Sequence, residues 1–210
     1  MRALKSARRR WLPWAALSAT ILVSAVLVPW YWRSVAAPAA AVSKTQSVAD
    51  ELSLYQLTST WTTDDNRSLK LNELRGSLQI LALIFTRCSG TCPLTVKELQ
   101  KFAASLPEPL ARDTHFVLVT FDPTDTAEIL LGYRKTMHLN GRWLLLRSAP
   151  GAVRELAATL GFSYQPQGDQ FVHSNLVTVL SRKGVIVHQQ AGAGGSASEL
   201  LSALQLAQSE

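Results

Sequence analysis

The chain has 210 residues, 47% hydrophobic and 17% charged, which is enough for one compact domain with a short appendage and too little for two full domains. Its formal charge of +6 would suit a nucleic-acid binder, but six of the 21 basic residues (Arg2, Lys5, Arg8, Arg9, Arg10 and Arg33) fall within the first 33 positions, which contain no acid. The other 15 are balanced by 15 acidic residues, so the body of the chain has no surplus charge for phosphates, and no nucleic acid is expected as a partner.

Taken in chain order, residues 1–10 form a basic segment, and residues 11–32 are free of charge and rich in Ala, Leu, Val and Ile. A helix that crosses the hydrocarbon core needs about 20 such residues. Trp11 and Trp14 stand at one end and Trp30, Tyr31 and Trp32 at the other, where amphipathic rings favour the headgroup level. The sequence thus predicts a single-pass transmembrane anchor over 11–32. The Arg-rich end stays cytoplasmic and the remainder lies outside, in the periplasm for a bacterial inner membrane. A cleaved signal peptide is the competing reading, because Ala39-Ala40-Ala41 offers a small-residue cleavage site, although its apolar region would normally be shorter. Residues 33–50 read as a linker and 51–210 as the domain.

Within the domain, Leu52, Leu54 and Leu57 lead toward Trp61 as an early strand or hairpin that turns at Thr63-Asp64-Asp65-Asn66. Residues 78–85 are nearly all apolar, as in a strand buried on both faces. The loop Thr86-Arg87-Cys88-Ser89-Gly90-Thr91 follows, and Cys92-Pro93 opens a helix with Cys92 expected at its N-cap. Val96, Leu99, Phe102 and Ala103 form the apolar stripe of that helix. A second buried strand spans 116–121. The next helix is expected to start near Asp125, with Glu128 three residues on resembling a capping box, and to bury Ile129, Tyr133 and Met137. A short strand at 144–146, a helix with Val153, Leu156, Ala157 and Leu160 inward, a hairpin of 176–180 with 185–187, and a last helix from Ser196 complete the order. This order predicts an α/β, thioredoxin-like fold.

The only two cysteines, Cys88 and Cys92, share the loop between the first buried strand and its helix. Near a helix N-terminus the thiolate, which is both nucleophile and metal ligand, is expected to be favoured. A pair of thiolates describes either a redox couple or most of a soft-metal site, and thioredoxin-type redox pairs are separated by two residues rather than three. With an imidazole added, the set suits copper or zinc. Of His115, His138, His173 and His188, only His173 precedes the strand that this topology sets beside the dithiol loop. A disulfide that closes so small a loop would add little stability. Met137 reads as core rather than ligand.

Three stretches resemble the Sco/SenC family of copper chaperones for cytochrome c oxidase assembly: Phe85-Thr86-Arg87-Cys88-Ser89-Gly90-Thr91-Cys92-Pro93 with Glu98-Leu99 after it, Val119-Thr120-Phe121-Asp122-Pro123-Thr124-Asp125-Thr126, and Phe171-Val172-His173-Ser174. The resemblance implies a thioredoxin-like fold with an N-terminal transmembrane helix, a copper ion held by Cys88, Cys92 and His173, and Asp122 at most near those ligands. It also implies a partner, either the copper-bearing subunit of cytochrome c oxidase or another copper chaperone. The action would be delivery of copper to the dinuclear copper centre or reduction of its cysteines. The chain departs from the family pattern at Ser89-Gly90-Thr91, where Pro-Asp-Val is usual, and at Val172, where Asp is usual; neither change touches a ligand. Two alternatives remain: a metal-independent thiol–disulfide oxidoreductase using Cys88 and Cys92, and a zinc hydrolase, which would need a general base nearby.

Overall fold

The computed structural model describes residues 53–208, so the basic segment, the anchor over 11–32 and the linker lie outside the described residues. Among the described residues, no helix is long and apolar enough to cross a membrane.

The centre of the domain follows from two apolar runs. Strand β3 (Leu78–Ile84) is buried at every position, and β4 (Thr114–Thr120) is buried except at His115. Strands buried on both faces are the mark of the middle of a parallel sheet, and β3 pairs with β4 in parallel from Leu78↔Thr114 to Ile84↔Thr120. Strand β5 (Trp143–Arg147) extends the parallel set beside β4. The hairpin of β1 (Thr60–Thr63) and β2 (Ser68–Lys70) closes one edge, and β8 (Leu176–Leu180) and β9 (Ile186–Ala191) close the other, antiparallel to their neighbours. The full order is β2-β1-β5-β4-β3-β8-β9.

Two crossovers join the parallel strands. Helix α1 (Thr91–Ser105) and the short α2 (Glu108–Asp113) lie between β3 and β4, and α3 (Ala127–Thr136) lies between β4 and β5. Right-handed crossovers bring α1 and α3 to the same face. Helix α1 buries Cys92, Thr95, Val96, Leu99, Phe102 and Ala103. Helix α4 (Pro150–Leu160) ends at Gly161, whose left-handed backbone (φ 68°, ψ 22°) suits a residue without a Cβ. Helix α5 (Ala197–Gln208) starts beside Ser196, whose Oγ accepts from Glu199 N, and packs on β9, β8 and β3. This mixed sheet with its helices is the predicted thioredoxin-like architecture.

Four local expectations differ from the structure. The segment before Trp61 is a 3₁₀ turn, Leu54–Gln56, capped by Ser53 Oγ accepting from Tyr55 N, rather than a strand. Its partner is Gly184, where the Tyr55 ring lies 2.6 Å from the place a Cβ would occupy. Helix α3 is capped by Thr126, which accepts from Ile129 N, one residue later than expected. Its inward stripe is therefore Leu130, Tyr133 and Met137, and Ile129 is exposed. Strand β9 runs longer than 185–187. Strands β6 (Tyr164–Gln167) and β7 (Gln170–His173) form a separate two-stranded sheet where no element was expected.

Candidate metal centre

The site stands at the carboxyl ends of β3 and β4, where the parallel strands open into loops. After β3, Cys88 N donates to Phe85 O at 3.2 Å and the chain turns into α1 at Gly90. Strand β8 is antiparallel to β3, with Ala82 opposite Val177, so the residues just before β8 return to the same end of the sheet. This brings His173, at the end of β7, to the dithiol loop across 81 residues of sequence.

The three candidate ligand atoms (Cys88 Sγ, Cys92 Sγ and one His173 ring nitrogen) all lie within 4.8 Å of one another, and His173 Nε2 is 3.9 Å from Cys92 Sγ. Ligand atoms about 2.0–2.3 Å from a common ion cannot stand more than about 4.6 Å apart, so only a small closing movement separates this arrangement from a coordinating one. The imidazole is oriented for the task. His173 Nδ1 lies 2.7 Å from Ser174 O. A carbonyl only accepts, so Nδ1 carries the proton and the Nε2 lone pair faces the sulfurs.

An aromatic wall holds that ring. Phe121 and Phe85 have centroids 5.2 and 5.8 Å from His173, and Phe162 stacks at 6.0 Å. Phe171 joins the wall against Phe85 and Phe121 at 5.1 and 5.2 Å. The β6–β7 pairing sets Tyr164 opposite His173, and Ser174 N donates to Ser163 O to close the base.

The cysteines differ from the sequence expectation in two respects. Helix α1 begins at Thr91 with Gly90 as cap, so Cys92 lies inside the first turn rather than at the N-cap. It is 2% exposed, and that burial pushes its thiol up to about 12, with neighbouring Cys88 adding to the effect. Desolvation outweighs the helix terminus, and a metal must displace a proton there. Cys88 is half-buried, and both cysteines are free.

The loop is held by two carboxylates. Asp125 is buried and accepts from Thr86 N, Thr86 Oγ1 and Thr120 Oγ1 at 3.1, 2.6 and 2.5 Å. This role is missing from the sequence reading, which assigned Asp125 to a helix cap; the signal was an acid in the loop after β4, with Thr120 at the end of that strand and Thr86 just past the end of β3. Asp122 accepts from Arg87 Nη2 at 2.7 Å and from Thr124 N and Oγ1. It thus braces the residue before Cys88 and lies outside the converging trio. Burial alone would raise its carboxyl, but the Thr124 and Arg87 hydrogen bonds outweigh it and hold the group below the ordinary range. The stability it contributes is therefore complete above pH ~3.9 and lost as pH falls through the lower folded value. In acid titrations followed by circular dichroism, Asp122→Asn should start less stable than the wild type and lose stability less steeply below pH ~4.

The other histidines stay away from the sulfurs. His115 faces Gln79 at the far end of β4, His138 is exposed after α3, and His188 on β9 lies near Gln190 and Glu199. A cavity of about 870 Å³ lined by Gln79, His115, Arg134 and Arg142 also lies at that far end. None of the three candidate ligands lines it, so the chemistry is assigned to the cysteine loop. The two departures from the family pattern stand at the surface: Ser89, Gly90 and Thr91 are exposed, and Val172 is 59% exposed.

A family model described as SCO1/SenC matches residues 45–206. No curated protein is a significant match. Among solved structures, a candidate electron transfer protein of Aquifex aeolicus VF5 is 28% identical with a TM-score of 0.70, over 76% of this chain and 95% of that one. Copper-bound ScoI of Arabidopsis thaliana is 21% identical with a TM-score of 0.63, over 71% of this chain and 95% of its own. BsSco, a Sco-family cytochrome c oxidase assembly protein with a disulfide switch, is 20% identical with a TM-score of 0.63, over 71% and 91%. The last two share the fold.

Proposed function

The chain belongs to the SCO1/SenC family, and on that premise we propose that it is a copper-binding assembly factor for cytochrome c oxidase, with Cys88, Cys92 and His173 as the copper ligands. The observation that carries this reading is the convergence of two sulfurs and a pre-oriented imidazole nitrogen within 4.8 Å. Two soft thiolates and an imidazole fit copper, which here is cargo. The chain's own part is to release the two thiol protons on loading, to hold the imidazole by Ser174, and to keep one side of the site dry with Phe85, Phe121, Phe162 and Phe171. Cys88 and the exposed turn at Ser89–Thr91 form the open side, from which copper would pass to the copper-bearing oxidase subunit or to another chaperone.

A second reading is favoured by the adjacent free thiols: the same pair reduces the cysteines of the oxidase copper centre, forming a Cys88–Cys92 disulfide as the partner's disulfide is reduced to two thiols. A zinc hydrolase is disfavoured, because Asp122 and Asp125, the carboxylates that brace this loop, are engaged by Arg87, Thr124, Thr86 and Thr120.

We further propose that residues 11–32 anchor the chain in a bacterial inner membrane with the domain in the periplasm, on the strength of the charge asymmetry and aromatic ends of that segment. Fractionation of cells expressing the full chain should leave it in the membrane and accessible to protease from the periplasmic side. A mature N-terminus near Val42, with release on osmotic shock, would show a cleaved signal instead.

A further inference from the structure

Buried polar groups in folded proteins are nearly always paired, yet the buried hydroxyl of Tyr133 has no hydrogen-bond partner among the described residues. Tyr133 lies on α3, in the inward stripe with Leu130 and Met137. Helices α1 and α3 both start from the end of the sheet that carries the cysteines, and further down they are joined where Gln100 Nε2 donates to Met137 O at 2.7 Å. Tyr133 stands one turn above that contact on α3. On α1, Val96 stands one turn above it and Cys92 two turns. Helical side chains lean toward their own N-terminus, so the long Tyr133 ring extends up toward the sulfurs.

The electrostatics agree with this placement. Burial raises the ionisation of Tyr133 well above the ordinary phenol range, and Cys92, Cys88 and Asp125 lie close enough to raise it further when they are charged. Of these three groups, Asp125 already accepts three hydrogen bonds from Thr86 and Thr120. Cys92 is buried within α1, whereas Cys88 is half-buried on the loop before it. A neutral thiol accepts hydrogen bonds weakly, whereas a thiolate bound to a metal accepts them well.

We propose that Tyr133 is a positioning residue of the metal centre, its hydroxyl donating to Cys92 Sγ when that sulfur ligates copper; the inference rests on the copper-binding reading above. The bond would draw charge from the sulfur and fix its direction, as outer partners of metal ligands generally do.

The test is Tyr133→Phe in the purified full-length chain. The ring is kept and an unpaired polar atom is removed, so the reduced, metal-free variant should melt at the same temperature as the wild type or higher. Its copper affinity should fall by roughly 10-fold, the lower end of the effect of losing such a partner. The thiolate-to-Cu(II) charge-transfer band should move to lower energy, because a sulfur without the hydrogen bond holds its electrons less tightly. Unchanged affinity with an unchanged band, in a wild type that binds copper, would overturn the role of Tyr133 alone. A metal-free variant that melts lower would also overturn it, by revealing a structural partner for the hydroxyl. A wild type that binds no copper would overturn the copper-binding reading and this inference with it.

Discussion

Serine in place of Cys88 or Cys92 is expected to abolish the strong thiolate-to-copper absorption of the Cu(II)-loaded chain and to lower copper affinity by well over the roughly 10–100-fold that follows loss of an outer partner. The two sulfurs sit on the loop after β3 and the first turn of α1, and Asp125 and Asp122 hold the start of that loop through Thr86 and Arg87. With one gone, a single thiolate and His173 remain, too few soft donors for tight binding. The hydroxyl of a serine is a hard and weak ligand, and at position 92 it would be buried. The measurement is absorption spectroscopy together with copper competition titrations. A double cysteine variant that binds copper as well as the wild type would move the site elsewhere.

His173→Ala is expected to separate the two chemistries of the dithiol. Its Nε2 is the one imidazole nitrogen brought to the sulfurs, fixed by the Nδ1 bond to Ser174 O. Copper affinity should therefore fall by more than about 100-fold, beyond the range for a group that merely supports a ligand. Oxidation of Cys88 and Cys92 to a disulfide depends on the two sulfurs and their access, so it should survive. If copper binding is the working property, the variant fails to restore active oxidase to a strain lacking the wild-type chain, even though its thiols still oxidise. If thiol reduction suffices, the variant rescues fully, and the second reading takes over.

The sequence made the frame of this molecule legible and left its fine setting hidden, for physical reasons that can be named. The apolar runs 78–85 and 116–121 read as strands covered on both faces, and they fall on β3 and β4 to within two residues. Leu176 to Leu180 matches β8. From that order, His173 could be chosen over three other histidines, and the structure brings it to the cysteines. The β6–β7 hairpin was missed because Gln165, Pro166, Gln167 and Gln170 lack strand character; Gly168-Asp169 between Tyr164 and Phe171 was the turn signal available. The cap of α3 went to Thr126 rather than Asp125 because a buried network claimed the acid, a tertiary effect that local capping rules do not contain. The burial of Cys92 has the same origin. A cysteine near a helix start reads as an activated thiolate until the packing around it is known, and here packing raises the thiol instead.

X-ray absorption at the copper edge of the loaded full-length chain tests the central claim most directly. The account predicts about one copper per chain, with two sulfur neighbours and one imidazole nitrogen, reduced to two sulfurs in His173→Ala. A nearest shell of oxygen and nitrogen without sulfur, or a purified chain that retains no copper at all, would contradict it.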